Sequence, residues 1–108
     1  MIESEKRRVP YRALSNGQMI VVDVEGEAIL VCRVEGRYHA LRDLCSHADQ
    51  ALSEGRLRGH TIYCPLHGSR FDVRTGECLS PPATFSVKRF LVEESDEGLF
   101  VSRAREED

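Results

Sequence analysis

The chain has 108 residues, 41% hydrophobic and 31% charged, with 18 acidic against 15 basic side chains and a net charge of −3. That length fits one domain with a real but modest core. Such a mild charge imbalance points away from nucleic acid and from an anionic membrane surface, and the only sizeable basic run, Lys6-Arg7-Arg8, is partly offset by Glu3 and Glu5. The first eight residues lack the apolar stretch of a secretory leader, and the longest apolar runs, 19–22 and 28–32, are far too short to span a bilayer. The expectation is a soluble, cytoplasmic protein.

In chain order the pattern is one of short strands and tight turns. Residues 14–17 hint weakly at a helical turn. Residues 18–24 are β-branched and apolar, and they end at Glu25-Gly26. A strand is predicted over 27–34, with Leu30, Cys32 and Val34 on one face under period-2 alternation. Glu35-Gly36 turns the chain into a third strand over 37–41. Two acid–glycine turns between alternating apolar runs are a meander signal.

The alternation lapses over 43–55, which reads as a loop. A short strand is expected around 61–63, a second loop at 67–69, an extended stretch over 70–73 and a turn at Thr75-Gly76. Ser80-Pro81-Pro82 cannot continue a central strand, because neither proline can donate to a ladder. Residues 84–93 and 99–103 form a closing hairpin across 95–98, and 105–108 read as a solvated tail. The fold class is all-β, with antiparallel sheets carrying two loops, and no repeat or linker divides the chain.

Those loops hold the chemistry. Cys45-Ser-His47 and Cys64-Pro-Leu-His67 are two mixed Cys and His pairs separated by 16 residues. Thiolates and imidazoles in this number suit a metal centre, and two Cys with two His would also make a tetrahedral zinc shell. Zinc fingers, however, usually pair Cys with Cys and His with His. Cys32 and Cys78 stand outside the motif and read as small buried apolar residues, a disulfide between them being the alternative. His39 and His60 lie in strand-like stretches with no nearby cysteine, and read as ordinary surface or half-buried residues.

The C-x-H-x16-C-x-x-H spacing, with Pro65, Gly68-Ser69, Phe71-Asp72 and Thr75-Gly76, resembles the Rieske iron–sulfur family. The resemblance implies antiparallel sheets as a base, with a cluster-binding subdomain inserted at about 41–84. It also implies one [2Fe-2S] cluster, with Cys45 and Cys64 on one iron and His47 and His67 on the other. An oxidised core with two thiolates and two neutral imidazoles carries no net charge, whereas four thiolates leave −2. Adding an electron is therefore easier, and Rieske potentials lie at roughly −150 to +300 mV against roughly −400 mV for plant-type ferredoxins.

High-potential members of the family carry a tyrosine where this chain has Phe71, and an extra cysteine in each loop, in the regions of Gln50 and Leu66. Ser69 remains as a donor to a cluster sulfide. The expected potential is thus at the low end of the range, and without a brace the loops should depend on the cluster for order. Respiratory family members are membrane-tethered, and with its short apolar runs this chain is expected to lack such an anchor.

Leu52-Ser-Glu-Gly55, Cys64-Pro-Leu-His67, Val73-Arg-Thr-Gly76 and Ser80-Pro-Pro82 resemble the soluble Rieske-type ferredoxins of bacterial aromatic-ring dioxygenase systems. That likeness implies an electron-transfer component of aromatic hydrocarbon catabolism rather than an enzyme. It would be a monomer that accepts electrons from a flavoprotein or iron–sulfur reductase and passes them to a terminal oxygenase near His47 and His67. Arg42, Arg56, Arg58, Arg70 and Arg74 surround the loops and could steer an acidic partner, although Asp43, Asp49, Glu54 and Asp72 are interspersed. The alternatives are a Rieske-like small subunit of a larger redox enzyme such as nitrite reductase, and a structural zinc-binding module.

Overall fold

A computed structural model describes residues 7–9, 14–46, 49–66, 68–80 and 85–103. His47, His67, Pro81-Pro82, Thr84 and the tail from 105 lie outside the described residues. Ten strands are described: β1 Arg7–Arg8, β2 Met19–Val24, β3 Glu27–Val34, β4 Arg37–Arg42, β5 Arg56–Arg58, β6 Thr61–Tyr63, β7 Arg70–Asp72, β8 Cys78–Ser80, β9 Arg89–Ser95 and β10 Gly98–Arg103. A single 3-10 turn, Leu52–Glu54, is the only helical element among the described residues. The all-β expectation holds.

Two antiparallel sheets result. The larger has the order β1-β10-β9-β4-β3-β2, and the smaller runs β5-β6-β7-β8. The acid–glycine turns are built as the pattern implied: Glu25 and Gly26 have φ of 54° and 87°, and Glu35 and Gly36 have 52° and 82°. Two successive positive φ values suit the right-handed twist of the flanking strands. Side chains support both turns, since the Gly26 N–H donates to Asp23 Oδ1 at 3.0 Å and the Gly36 N–H to Asn16 Oδ1 at 2.8 Å.

Residues 14–17 depart from the reading. They make a tight turn, with the Gly17 N–H bonded to the Arg33 carbonyl at 2.7 Å and Gln18 folding back on Ser15. Gly17 has a φ of 87°, which a helical turn does not accommodate. The closing hairpin begins later than expected, at Arg89, because 85–88 bond outward to the loops instead: Arg42 N–H to the Lys88 carbonyl at 2.9 Å and Val87 N–H to the Gly76 carbonyl at 2.8 Å.

Strand β3 separates two cores. Leu30, Cys32 and Val34 face one, with Leu41, Leu52, Ile62, Phe71 and Val73; Ile29 and Val31 face the other, with Val22, Val24, Phe90, Leu99 and Val101. The predicted apolar face is real, and its opposite face is apolar too, because β3 lies inside the sheet and is covered on both sides. Each fully buried aliphatic side chain contributes about 1.5–3 kcal/mol. The first core is the one on which the loops rest.

Candidate metal centre

The first loop leaves β4 under restraint. Asp43 N–H bonds the Ala28 carbonyl of β3 at 2.8 Å, and its carboxylate accepts both the Ser53 N–H and the Ser53 hydroxyl at 2.7 Å. Asp43 is buried. It clamps the 3-10 turn to the strand end two residues before Cys45, a role sequence reading missed. Its only sequence signal was an acid placed beside the motif and ten residues before a serine.

Each cysteine then opens a loop closed in the same way. Cys45 N–H donates to the Gln50 carbonyl at 2.9 Å, and Cys64 N–H to the Ser69 carbonyl at 2.8 Å, five residues on in both cases. The second loop is tightened by Gly68 N–H on the Cys64 carbonyl at 3.0 Å, and Gly68 has a φ of 77°. Gly55 lets the hairpin sit close to that loop: a Cβ there would stand 1.8 Å from the Tyr63 carbonyl oxygen and 3.1 Å from Pro65.

Cys45 and Cys64 are 3% and 2% exposed, sit in one apolar cluster, and are unbridged. Ser69, expected near them, is fully buried. Phe71 belongs to the same cluster. His47 and His67 fall outside the described residues, so the structure places Cys45 and Cys64 in one core and bonds Ser69 to Cys64 through the backbone, and leaves the imidazoles as an expectation from sequence. Two soft sulfur donors in a dry, shared environment, at the heads of matching loops, fit a metal–sulfur group well. Around the loops two large apolar side chains are exposed, Leu66 at 50% and Phe85 at 72%. Phe85 is tied to the first loop by the Ser46 hydroxyl, which donates to its carbonyl.

Cys32 is buried in the same core, where loss of hydration pushes its thiol up to about 12. Cys78 is half-buried, its thiol facing the Ser80 carbonyl at 3.4 Å. Neither forms a disulfide. His39 and His60 are half-buried and meet edge to face at 5.9 Å between ring centres. That contact, between β4 and the β5–β6 turn, was not visible in sequence. His39 is held below its ordinary value, first by burial and then by His60 and Arg74.

The comparisons agree with the geometry. The family described as Rieske [2Fe-2S] domain matches residues 7–91. The chain is 44% identical over 79 residues to the ferredoxin component of biphenyl 2,3-dioxygenase from Rhodococcus jostii, covering 73% of this chain and 74% of that one. It is 42% identical over 76 residues to the ferredoxin component of the naphthalene 1,2-dioxygenase system from Pseudomonas putida, covering 70% and 73%. Among solved structures, the ferredoxin of carbazole 1,9a-dioxygenase from Nocardioides aromaticivorans superposes with a TM-score of 0.84 at 31% identity, over 93% of this chain and 98% of that one. A chain in a complex of reduced oxygenase and oxidized ferredoxin of carbazole 1,9a-dioxygenase gives 0.87 at 31% identity, over 95% and 97%. No helix among the described residues is long and apolar enough to cross a membrane. With two unbridged, buried cysteines heading matched loops on an antiparallel base, the chain belongs to the Rieske [2Fe-2S] domain family.

Proposed function

We propose that this protein is a one-electron carrier that takes electrons from a flavoprotein or iron–sulfur reductase and delivers them to a terminal oxygenase of an aromatic-ring dioxygenase system. The observation that carries the reading is the pair of equivalent cysteine loops, in a chain similar over nearly the whole length of known ferredoxin components. Cys45 and Cys64 hold one iron of a [2Fe-2S] cluster and His47 and His67 the other, with Ser69 acting on a cluster sulfur. When bound, the cluster supplies reversible one-electron storage; the chain's own residues hold it, exclude water around its thiolate end and present its histidine end.

The 108 residues form one domain with a cluster-binding subdomain at about 41–84, and the carrier works as a cytoplasmic monomer. Partners dock near His47 and His67; the exposed Leu66, next to His67 in the chain, and Phe85, bonded to Ser46 in the first loop, offer apolar surface that a partner would cover. An EPR spectrum of the dithionite-reduced protein, with iron and sulfide assays on the same sample, tests the reading. A rhombic signal with an average g near about 1.9 is expected for mixed histidine and cysteine ligation. A colourless, EPR-silent protein containing zinc would overturn it.

A further inference from the structure

The five arginines around the loops are not equivalent. Arg74 closes on Asp72, with its Nε at 3.0 Å and Nη2 at 2.9 Å from the two carboxylate oxygens, and Arg42 lies 3.9 Å from Glu27. Arg56, Arg58 and Arg70 are exposed, and among the described residues none of them has a carboxylate within ion-pair distance.

Strand register puts these three on one surface. Arg56 pairs with Tyr63 and Tyr63 with Arg70, making a row across β5, β6 and β7; Arg58, Thr61 and Asp72 make the next row. The residues between them, Leu57, Ile62 and Phe71, point to the core. The solvent face of the small sheet is therefore cationic, in a chain whose net charge is −3. Arg56 and Arg58 sit on the same face of one strand two residues apart, about 7 Å, so their charges add to one local field.

Arg70 is oriented by its Nε on the Ser80 hydroxyl at 3.1 Å, and its terminal amines have no carboxylate partner among the described residues. An open groove of about 510 Å³, lined by Gly55, Arg56, Arg58, Tyr63, Cys64 and Pro65, runs from this face to the second cysteine loop. Glu54 on its rim is engaged by Gln50 Nε2 at 3.1 Å.

We propose that this face docks a carboxylate-rich segment of a redox partner protein, which the arginines steer and which the groove leads to the Cys64 loop. The inference rests on the carrier reading and names one partner chemistry for it. Guanidinium groups pair with carboxylates through two parallel hydrogen bonds, and a patch of this kind raises the encounter rate with an acidic partner at low salt.

The test uses the cluster-loaded protein and a fluorescein-labelled hexa-aspartate peptide, followed by anisotropy. Wild type should bind at about 20 mM salt and release the peptide at about 300 mM, where screening is strong. Arg56→Glu with Arg58→Glu should weaken binding about tenfold or more, and Arg56→Gln with Arg58→Gln about threefold, the scale of exposed ion pairs. Arg37→Glu with Arg89→Glu, exposed and equal in net charge, should change it by less than about twofold. No binding by wild type, or equal losses in the two charge-reversed pairs, would overturn the proposal. If the charge-reversed pair fails to fold, the neutral pair decides. An iron-loaded protein that ignores the peptide sinks the docking surface alone, whereas an iron-free, zinc-containing protein sinks the carrier reading.

Discussion

Asp43 accepts two hydrogen bonds from Ser53, at 2.7 Å to the N–H and 2.7 Å to the hydroxyl, and so holds both ends of the first loop's anchor. Hydrogen bonds to a charged group are worth about 1.5–3 kcal/mol each, and a buried partner left unpaired costs more. Asp43→Ala should lower stability by about 3 kcal/mol and speed loss of visible absorbance on dilution into chelator. Ser53→Ala, which keeps the backbone bond, should do about half as much. Denaturant melts and chelator kinetics check both.

Gly55→Ala should damage the same region by crowding. Its Cβ would lie 1.8 Å from the Tyr63 carbonyl oxygen, so the hairpin must move away from Pro65. A backbone shift of this kind costs about 1–3 kcal/mol. The thermal midpoint should fall, and iron content per chain should fall with it.

Acidification should weaken the contact between the two sheets at His39. Its folded value lies below the ordinary 6.5, through burial first, then His60 and Arg74, with Arg37 adding slightly and Asp72 opposing. A depressed histidine favours its neutral form in the folded state. Its contribution is fully present above the unfolded value and is lost as pH falls through the folded one. Melting temperature should therefore drop less steeply below pH about 6.5 in His39→Gln than in wild type.

Cys32 should resist alkylation in the native state. With burial pushing its thiol up to about 12, almost no thiolate exists at neutral pH, and its neighbours block access. Mass spectrometry after iodoacetamide treatment should find Cys32 unmodified until the protein is unfolded.

Phe71 lies in the core beside the cysteines and offers no hydroxyl. The reduction potential should accordingly lie at about −150 mV, near the foot of the Rieske range, and Phe71→Tyr should raise it. Direct electrochemistry decides, and a wild-type midpoint above zero contradicts the expectation.

Much of this was legible in the chain itself, and the exceptions share a cause. Strands at 27–34 and 61–63 and both acid–glycine turns are found where the pattern placed them, because alternation and turn chemistry are local. Strands β5 and β8, three residues each, carry no measurable period; they exist because β6 and β7 offer them edges to pair with. The turn at 14–17 was misread because its partner, the Arg33 carbonyl, is remote in sequence. In the site, the cysteine spacing was plain, whereas the Asp43–Ser53 clamp and the His39–His60 contact depend on chain segments meeting in space. The arginine run was visible, but its division into committed and free members needed the register.

Strand β3, apolar on both faces, is a party wall between the base and the loop-bearing half. Neither half can lose its packing without exposing the back of the other. The redox end is therefore not an appendage: a substitution at Ile29 or Val31, on the far side from the cysteines, should be felt where the electron is stored, because close-packed interiors transmit strain.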